Sequence, residues 1–528
     1  MIRLAGTAAA PGLAAGRLVR LAAVERATRR HGTPEEERAA LTTAVAAARD
    51  ALAALAERNP GEEASGILAF QIELLQEGEL PGIAYEAIAK GGTAEAAWQA
   101  ALEAEIVDYE SSTFPYFRAR ASDLRDLRER VLEALFGSGN EPIPTGAIVA
   151  ADDLAPSRFL ATDWDGGGIV LRRGSATSHV AILARSRGVP MLVGIDIARL
   201  NGHREALLDA EEGVLVLDPD ARERSEFERR RAAHVARLAE EAVHLARDAT
   251  TASGERVRVL INIAGPEDLA AVDPAHTDGV GLMRTEFMFH GREQLPGEEE
   301  QYRAYRRVVE WAQDRPVTIR TLDAGGDKPV PGLTLEGESN PFLGVRGVRL
   351  SLRRPEVLGV QLRALARAAV AGPLKIMVPM VTTPDEFARC RALLVHAAAE
   401  LDARGIPARR PPLGMMVEVP VAALEIERFD ADFYSIGSND LIQYLNAVSR
   451  DAAELAALGR PSSGLWRLIR AICEHGRRTR REVTLCGDLA SDPRAVPALL
   501  ECGLRALSVV PSAIASVKAA VARQETRA

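Results

Sequence analysis

The chain has 528 residues, too many for one ordinary domain and enough for two to four. Apolar residues make up 47% and aromatics only 4%, so its cores must be built from Leu, Val, Ile and Ala. A net charge of −9 leaves no broad basic face for phosphates, which argues against nucleic acid as a partner.

The opening stretch, "MIRLAGTAAAPGLAAG", lacks a long apolar core, and no run of ~18 apolar residues occurs anywhere. The expectation is a soluble, cytoplasmic chain without membrane insertion. Residues 21–136 are rich in Ala, Leu, Glu and Arg at helical spacing, which predicts a helical bundle or hairpin. From about residue 145 short strand-like pieces appear, "GAIVAADD", "GGGIVLRR", "PMLVGI" and "ALLDAEEGVLVLD", which predict a small α/β unit. Inside it, "GSATSHVAILAR" (174–185) places His179 where hydroxylated residues give way to an apolar helical segment. Taken alone, that is a capped helix with an incidental histidine. Residues 219–248 form a highly charged helical stretch with opposite charges three or four apart, a connector between halves.

Eight candidate strands follow: 257–263, 279–283, 317–322, 374–380, 414–419, 433–438, 483–487 and 507–511. Eight βα repeats in about 270 residues fit a TIM (β/α)8 barrel better than an open doubly wound sheet. In such barrels the active site lies at the C-terminal strand ends. Those ends carry Arg284, Glu286, Arg320, Asp323, the loop Gly325–Lys328, Arg346, Glu418, Asn439, Asp440, Cys486 and Gly487. Rim arginines often pair with rim acids, and a lone cysteine is usually a small buried hydrophobe. As a set at matching strand ends, however, these groups suit a phosphorylated anion, with arginine forks for phosphate and two carboxylates for a hard divalent ion. Cys390, Cys473, Cys486 and Cys502 show no CxxC spacing, so neither a zinc site nor a disulfide framework is expected.

Nine ordered blocks carry a resemblance over nearly the whole length: "AAAPGLAAGR", "ATSHVAILAR", "GVGLMRTEFMF", "RTLDAGGDK", "NPFLGVRGVR", "IMVPM", "GMMVEVP", "FYSIGSNDLIQY" and "LCGDLA". The chain resembles the Enzyme I family of the bacterial phosphotransferase system, the phosphoenolpyruvate–protein phosphotransferases. The resemblance implies a swivelling phosphohistidine α/β domain (1–20 plus 144–220) with an inserted helical subdomain that binds the carrier protein HPr (21–143). A helical linker (221–250) and a phosphoenolpyruvate-binding, dimer-forming barrel (251–528) would follow. It implies that phosphoenolpyruvate phosphorylates His179, which passes the group to a histidine of HPr. At matching positions Arg284, Arg320 and Arg346 would hold the phosphate, and Asn439, Asp440 and Arg450 would contact substrate. Glu418 and Asp440 would ligate Mg²⁺, and Cys486 would protonate the enolate to pyruvate. A homodimer through the barrel is implied as well.

The chain also departs from that family's pattern. Ser175 and Ala176 replace Gly-Arg before the Thr-Ser-His motif, leaving Arg172 or Arg173 to supply a cation. Ser449 stands for the usual Asp, Asp488 for Glu, and 451–465 lacks an aromatic. A relative of pyruvate,phosphate dikinase would need a nucleotide-binding domain ahead of the histidine, and only about 170 residues precede it here. A non-catalytic phosphoenolpyruvate sensor is the reading from a different class. His203, His234, His244 and His475 read as surface residues, and His290 as a residue that could line the barrel rim.

Overall fold

The computed structural model describes residues 2–21, 29–59, 62–76, 79–111, 115–137, 142–175, 178–289, 294–326, 328, 330–335, 337–449, 455 and 458–525. The chain divides into two compact units, Met1–Ala236 and Arg237–Ala528.

The first unit opens on β1 (Ile2–Ala5), β2 (Thr7–Ala10) and β3 (Leu13–Arg20). Five helices follow: α1 (Pro34–Arg58), α2 (Glu62–Gln76), α3 (Glu79–Ala89), α4 (Ala94–Ser111) and α5 (Pro115–Phe136). The chain then returns through β4 (Ile148–Ala151), α6 (Pro156–Ala161), β5 (Gly168–Leu171), α7 (His179–Ser186), β6 (Met191–Val193), β7 (Glu205–Asp209) and β8 (Val214–Leu217). These strands form one sheet in the order β1-β8-β7-β3-β4-β5-β6-β2. β3 and β4 pair in parallel, Leu18 opposite Ile148, so the helices form an insertion between two neighbouring strands. The opening segment, rich in Ala and Gly, forms three of these strands. Its strands exist because β8, β7 and β6 supply antiparallel partners, a tertiary effect that local propensity does not carry.

Local signals explain the helices. Thr33 and Glu36 form a capping box at the start of α1, with Pro34 at its first position and three acids in its first turn. By length and composition α1 could cross a membrane. It carries Arg49 and Asp50 midway and buries Leu41, Ala44, Ala48, Leu52 and Leu55 in a core shared with Trp98, Leu124 and Leu127.

Helix α8 (Ala221–Leu245) bears the boundary between the units. The second unit is a closed eight-stranded parallel barrel: β9 (Arg258–Ile263), β10 (Val280–Met283), β11 (Val317–Arg320), β12 (Leu374–Val378), β13 (Leu413–Val417), β14 (Tyr434–Gly437), β15 (Val483–Cys486) and β16 (Ala506–Val509). The expected TIM barrel is therefore present. Its strands alternate between a large outer core (Val259, Ile261, Met415, Val417, Tyr434, Ile436, Leu485) and an inner cluster of Leu282, Met377, Met416, Phe433 and Cys486.

Candidate active site

His179 is the first residue of α7, and Ser178 caps the helix by accepting from the Ala181 amide at 3.3 Å. The junction thus holds a capped helix start, as the sequence implied. The imidazole is not left to solvent. Its Nδ1 lies 2.9 Å from Oδ1 of Asp123, a fully buried carboxylate on α5 of the inserted helices. A carboxylate only accepts, so the neutral ring facing it carries its proton on Nδ1 and its lone pair on Nε2. Asp123 has no motif to announce it. Its partner lies 56 residues away in sequence, and no spacing rule reaches that far. Of the cations considered as replacements near the motif, Arg172 is ion-paired with Asp152, and Arg173 lies beside Asp153. Ala176 and Thr177 fall outside the described residues, as do Arg450 and His290.

In the second unit the barrel's C-terminal rim gathers charge around one hub. Asp323, fully buried, pairs with Arg346 at 3.0 Å, Lys328 at 3.1 Å and Arg320 at 3.3 Å. Burial alone would raise its carboxyl, but the three cations hold it well below the usual range. Arg320 also donates to Glu286 at 2.9 Å, and Arg346 reaches Asp440 at 3.2 Å. Glu286 in turn accepts from the Asp323 amide at 3.0 Å, tying the end of β11 to the loop after β10. Burial works against both guanidinium charges, and the surrounding carboxylates more than offset it.

Two features leave this network open to an anion. The Nε of Arg320 is buried without a hydrogen-bond partner among the described residues, a donor that a bound anion would satisfy. Arg284, by contrast, is exposed at the end of β10 and has no side-chain partner among the described residues. The structure therefore brings Arg320 and Arg346 together and leaves Arg284, among the described residues, as an unpaired cation after a neighbouring strand.

Glu418 is buried beyond β13, where its carboxylate accepts from the Met380 amide at 2.7 Å. Met380 adopts φ +57°, a strained conformation for a side chain of its size, and in it the amide faces the carboxylate. Burial first, then the neighbouring charges of Asp440 and Asp323, push Glu418 up to about 8. A Cβ added to Gly437 would stand 2.7 Å from Glu418 Oε2, so only glycine leaves that oxygen its space. Two crowded, buried carboxylates form an oxygen donor set that fits a divalent cation whose remaining ligands are substrate oxygens or water. Among the described residues no cluster of three or more His, Cys, Asp or Glu side chains converges as a complete metal cage.

Asn439 is held by Asp488, accepting from its amide at 2.9 Å and donating to its carboxylate at 3.2 Å. The shorter acid at 488 thus still engages its neighbour across the rim. Cys486 ends β15 inside the barrel, with its sulfur donating to the Ile436 carbonyl at 3.5 Å. Burial pushes this thiol up to about 11; Glu418 reinforces that, while Ser435, Arg320 and Arg284 oppose it. The thiol therefore keeps its proton at neutral pH, as a proton donor must. Tyr444, not foreseen from sequence, lies 3.4 Å from Arg346 and donates to the Phe342 carbonyl at 2.6 Å. His475 corrects its reading as a surface residue. It is buried against Tyr434, with its Nε2 3.2 Å from the phenol oxygen.

Sequence comparison places this geometry. The PEP-binding domain of the PEP-utilising enzymes matches residues 238–526, their N-terminal domain 5–120, and their mobile domain 143–213. The chain belongs to the PEP-utilising enzyme family. Among members of this family, a phosphoenolpyruvate-protein phosphotransferase of Geobacillus stearothermophilus is 36% identical over 97% of this chain and 92% of its own length. A multiphosphoryl transfer protein of Xanthomonas campestris pv. campestris is 37% identical over 98% of this chain and 63% of its own. A solution structure of an Enzyme I (nEIt) protein is 26% identical and covers 44% of this chain and 99% of its own, with a TM-score of 0.36.

Proposed function

We infer that this PEP-utilising enzyme is a phosphoenolpyruvate–protein phosphotransferase. In this reading it moves the phosphoryl group of phosphoenolpyruvate to His179 and then to a histidine on an HPr-like carrier, releasing pyruvate. The observation that carries the reading is that one chain holds two sets of groups, one in each unit. One is a histidine whose tautomer is set for attack through Nε2; the other is an arginine-rich barrel rim with an orphaned donor and a protonated thiol.

Phosphoryl transfer demands positioning and charge neutralisation more than covalent help. Arg284, Arg320 and Arg346 hold the substrate phosphate, with Asn439, Asp440 and Arg450 around it. Mg²⁺ held by Glu418 and Asp440 would neutralise charge on the phosphate and carboxylate oxygens. His179 attacks phosphorus with the free Nε2 lone pair, while Asp123 stabilises the positive charge that grows on the ring. The first-turn amides of α7 add donors where the transferred oxygens settle. Bond cleavage leaves the enolate of pyruvate in the barrel, and Cys486 delivers its proton to that enolate.

Relay through one histidine requires His179 to meet first the barrel rim and then the carrier. The phosphohistidine domain (1–20 plus 144–220) moves together with the inserted helices of 21–143, which keep Asp123 on His179 and dock HPr, and 221–250 connects to the barrel. A homodimer through the barrel and a cytoplasmic location complete the reading. Labelled phosphoenolpyruvate with Mg²⁺ tests it. His179→Ala should take no acid-labile label yet still bind phosphoenolpyruvate. Wild-type protein that binds but never labels would leave a sensor instead.

A further inference from the structure

The inner cluster beside Cys486 is apolar, formed by Leu282, Met377, Met416 and Phe433, and the Ser435 hydroxyl reaches the cysteine within it. Ser435 lies on β14 between Tyr434 and Ile436, which both face the outer core, and is itself fully buried on the inner side. Strand register sets it opposite Thr484, two residues before Cys486. Its hydroxyl donates to the Cys486 sulfur at 3.8 Å, and no other side-chain partner is found for it among the described residues. Alanine would fill this place without burying a polar group. The sulfur of a neutral thiol is a weak acceptor, so this bond contributes little while Cys486 holds its proton. It strengthens once the sulfur is charged, because hydrogen bonds to ionised acceptors are about twice as strong. A contact that grows during the reaction is the kind that accelerates it.

We propose that Ser435 is a positioning residue for proton delivery: its hydroxyl orients the Cys486 sulfur and stabilises the thiolate left when the proton goes to the enolate. In that step the S–H bond breaks and its electron pair stays on sulfur. The enolate π pair forms the new C3–H bond, and the oxygen lone pair closes the C2 carbonyl of pyruvate. Atoms and charge balance, the negative charge passing from enolate oxygen to sulfur beside the Ser435 hydroxyl. Arg284, Arg320 and Glu418 are the charged groups facing the same sulfur.

The inference rests on Cys486 as the proton donor, so the test separates the two claims. The full chain is mixed with labelled phosphoenolpyruvate and Mg²⁺ in a single turnover, and two products are followed: acid-labile label on His179, and pyruvate. Ser435→Ala should label at the wild-type rate but form pyruvate about tenfold more slowly. Ser435→Thr, which keeps the hydroxyl, should restore pyruvate formation. A merely structural role would slow both products together and would overturn the proposal. So would wild-type pyruvate formation in Ser435→Ala while Cys486→Ala remains slow. If Cys486→Ala itself forms pyruvate at the wild-type rate, the donor assignment fails and takes the proposal with it. Should Ser435→Ala not fold, Ser435→Cys decides. Its weaker donor should give an intermediate pyruvate rate with intact labelling, and a wild-type rate would again overturn the proposal.

Discussion

Replacing Asp123 by asparagine keeps the shape of the buried contact to His179 and removes its charge. Two unit charges 2.9 Å apart attract by about 6 kcal/mol at an effective dielectric of ~20. The imidazole gains only part of a charge as phosphorus bonds to it. A better working figure is therefore the ~1.5–3 kcal/mol typical of hydrogen bonds to charged groups. That corresponds to a loss of about ten- to hundredfold in the rate of His179 labelling. A second loss adds to it. The asparagine amide can turn its NH₂ toward Nδ1, which moves the ring proton to Nε2 and blocks the attacking lone pair. Quenched-flow labelling with phosphoenolpyruvate measures the rate, and ¹⁵N spectra of the imidazole report the tautomer. Binding of phosphoenolpyruvate to the barrel should be unchanged, because Asp123 lies in the other unit. Labelling within twofold of wild type, or a wild-type ring protonated at Nε2, would refute the role given to Asp123.

Other perturbations test the barrel. Cys486→Ser should slow pyruvate formation in single-turnover assays at least tenfold, since a hydroxyl is a far weaker acid than a thiol held at about 11. Asp323→Asn strips the shared counter-ion from Arg320, Lys328 and Arg346 and should cost about 3 kcal/mol in the barrel's unfolding free energy. Thermal unfolding should then show phosphoenolpyruvate raising the midpoint more in this variant than in wild type, because the substrate's own charge replaces the lost carboxylate. Glu298 accepts from Arg363 and Arg367, each at 2.8 Å. Burial would raise its carboxyl, but the two arginines hold it below 4.5. A depressed folded-state value means that its stabilisation is present above 4.5 and disappears as the pH falls through the folded value. Glu298→Gln should therefore lower the midpoint at pH 7 by an amount that shrinks toward zero in acid, as thermal scans across pH would record.

How much of this was legible in the sequence depended on whether a residue's role is local. Arg320, Glu418 and Cys486 stand at or just beyond strand ends, and eight strand-like runs with helical spacers were enough to place them on one rim. Ser178 and His179 were legible because capping is a short-range pattern. Asp323 was visible as a strand-end acid, yet its place as the hub of three cations depends on loops meeting in space. Asp123 and Ser435 were invisible for the same reason, each acting on a partner 50 or more residues away. The burial of His475 followed from the face of its helix that packs on Tyr434, which its charged neighbours Arg477 and Arg478 concealed.

The parallel pairing of β3 with β4 has a consequence for modularity. Because the two strands run side by side in the same direction, a crossover of about a dozen residues from Arg20 back to Ile148 could replace the whole helical insertion without breaking the sheet. Such a truncated unit would still contain α7 and His179 but would lack Asp123. The part that looks like a detachable accessory therefore carries the carboxylate that holds the proposed nucleophile. Exchanging helical insertions between relatives to change carrier preference would exchange the tuning of the histidine along with it. If the helices dock the carrier as proposed, partner choice and phosphoryl chemistry are inherited together.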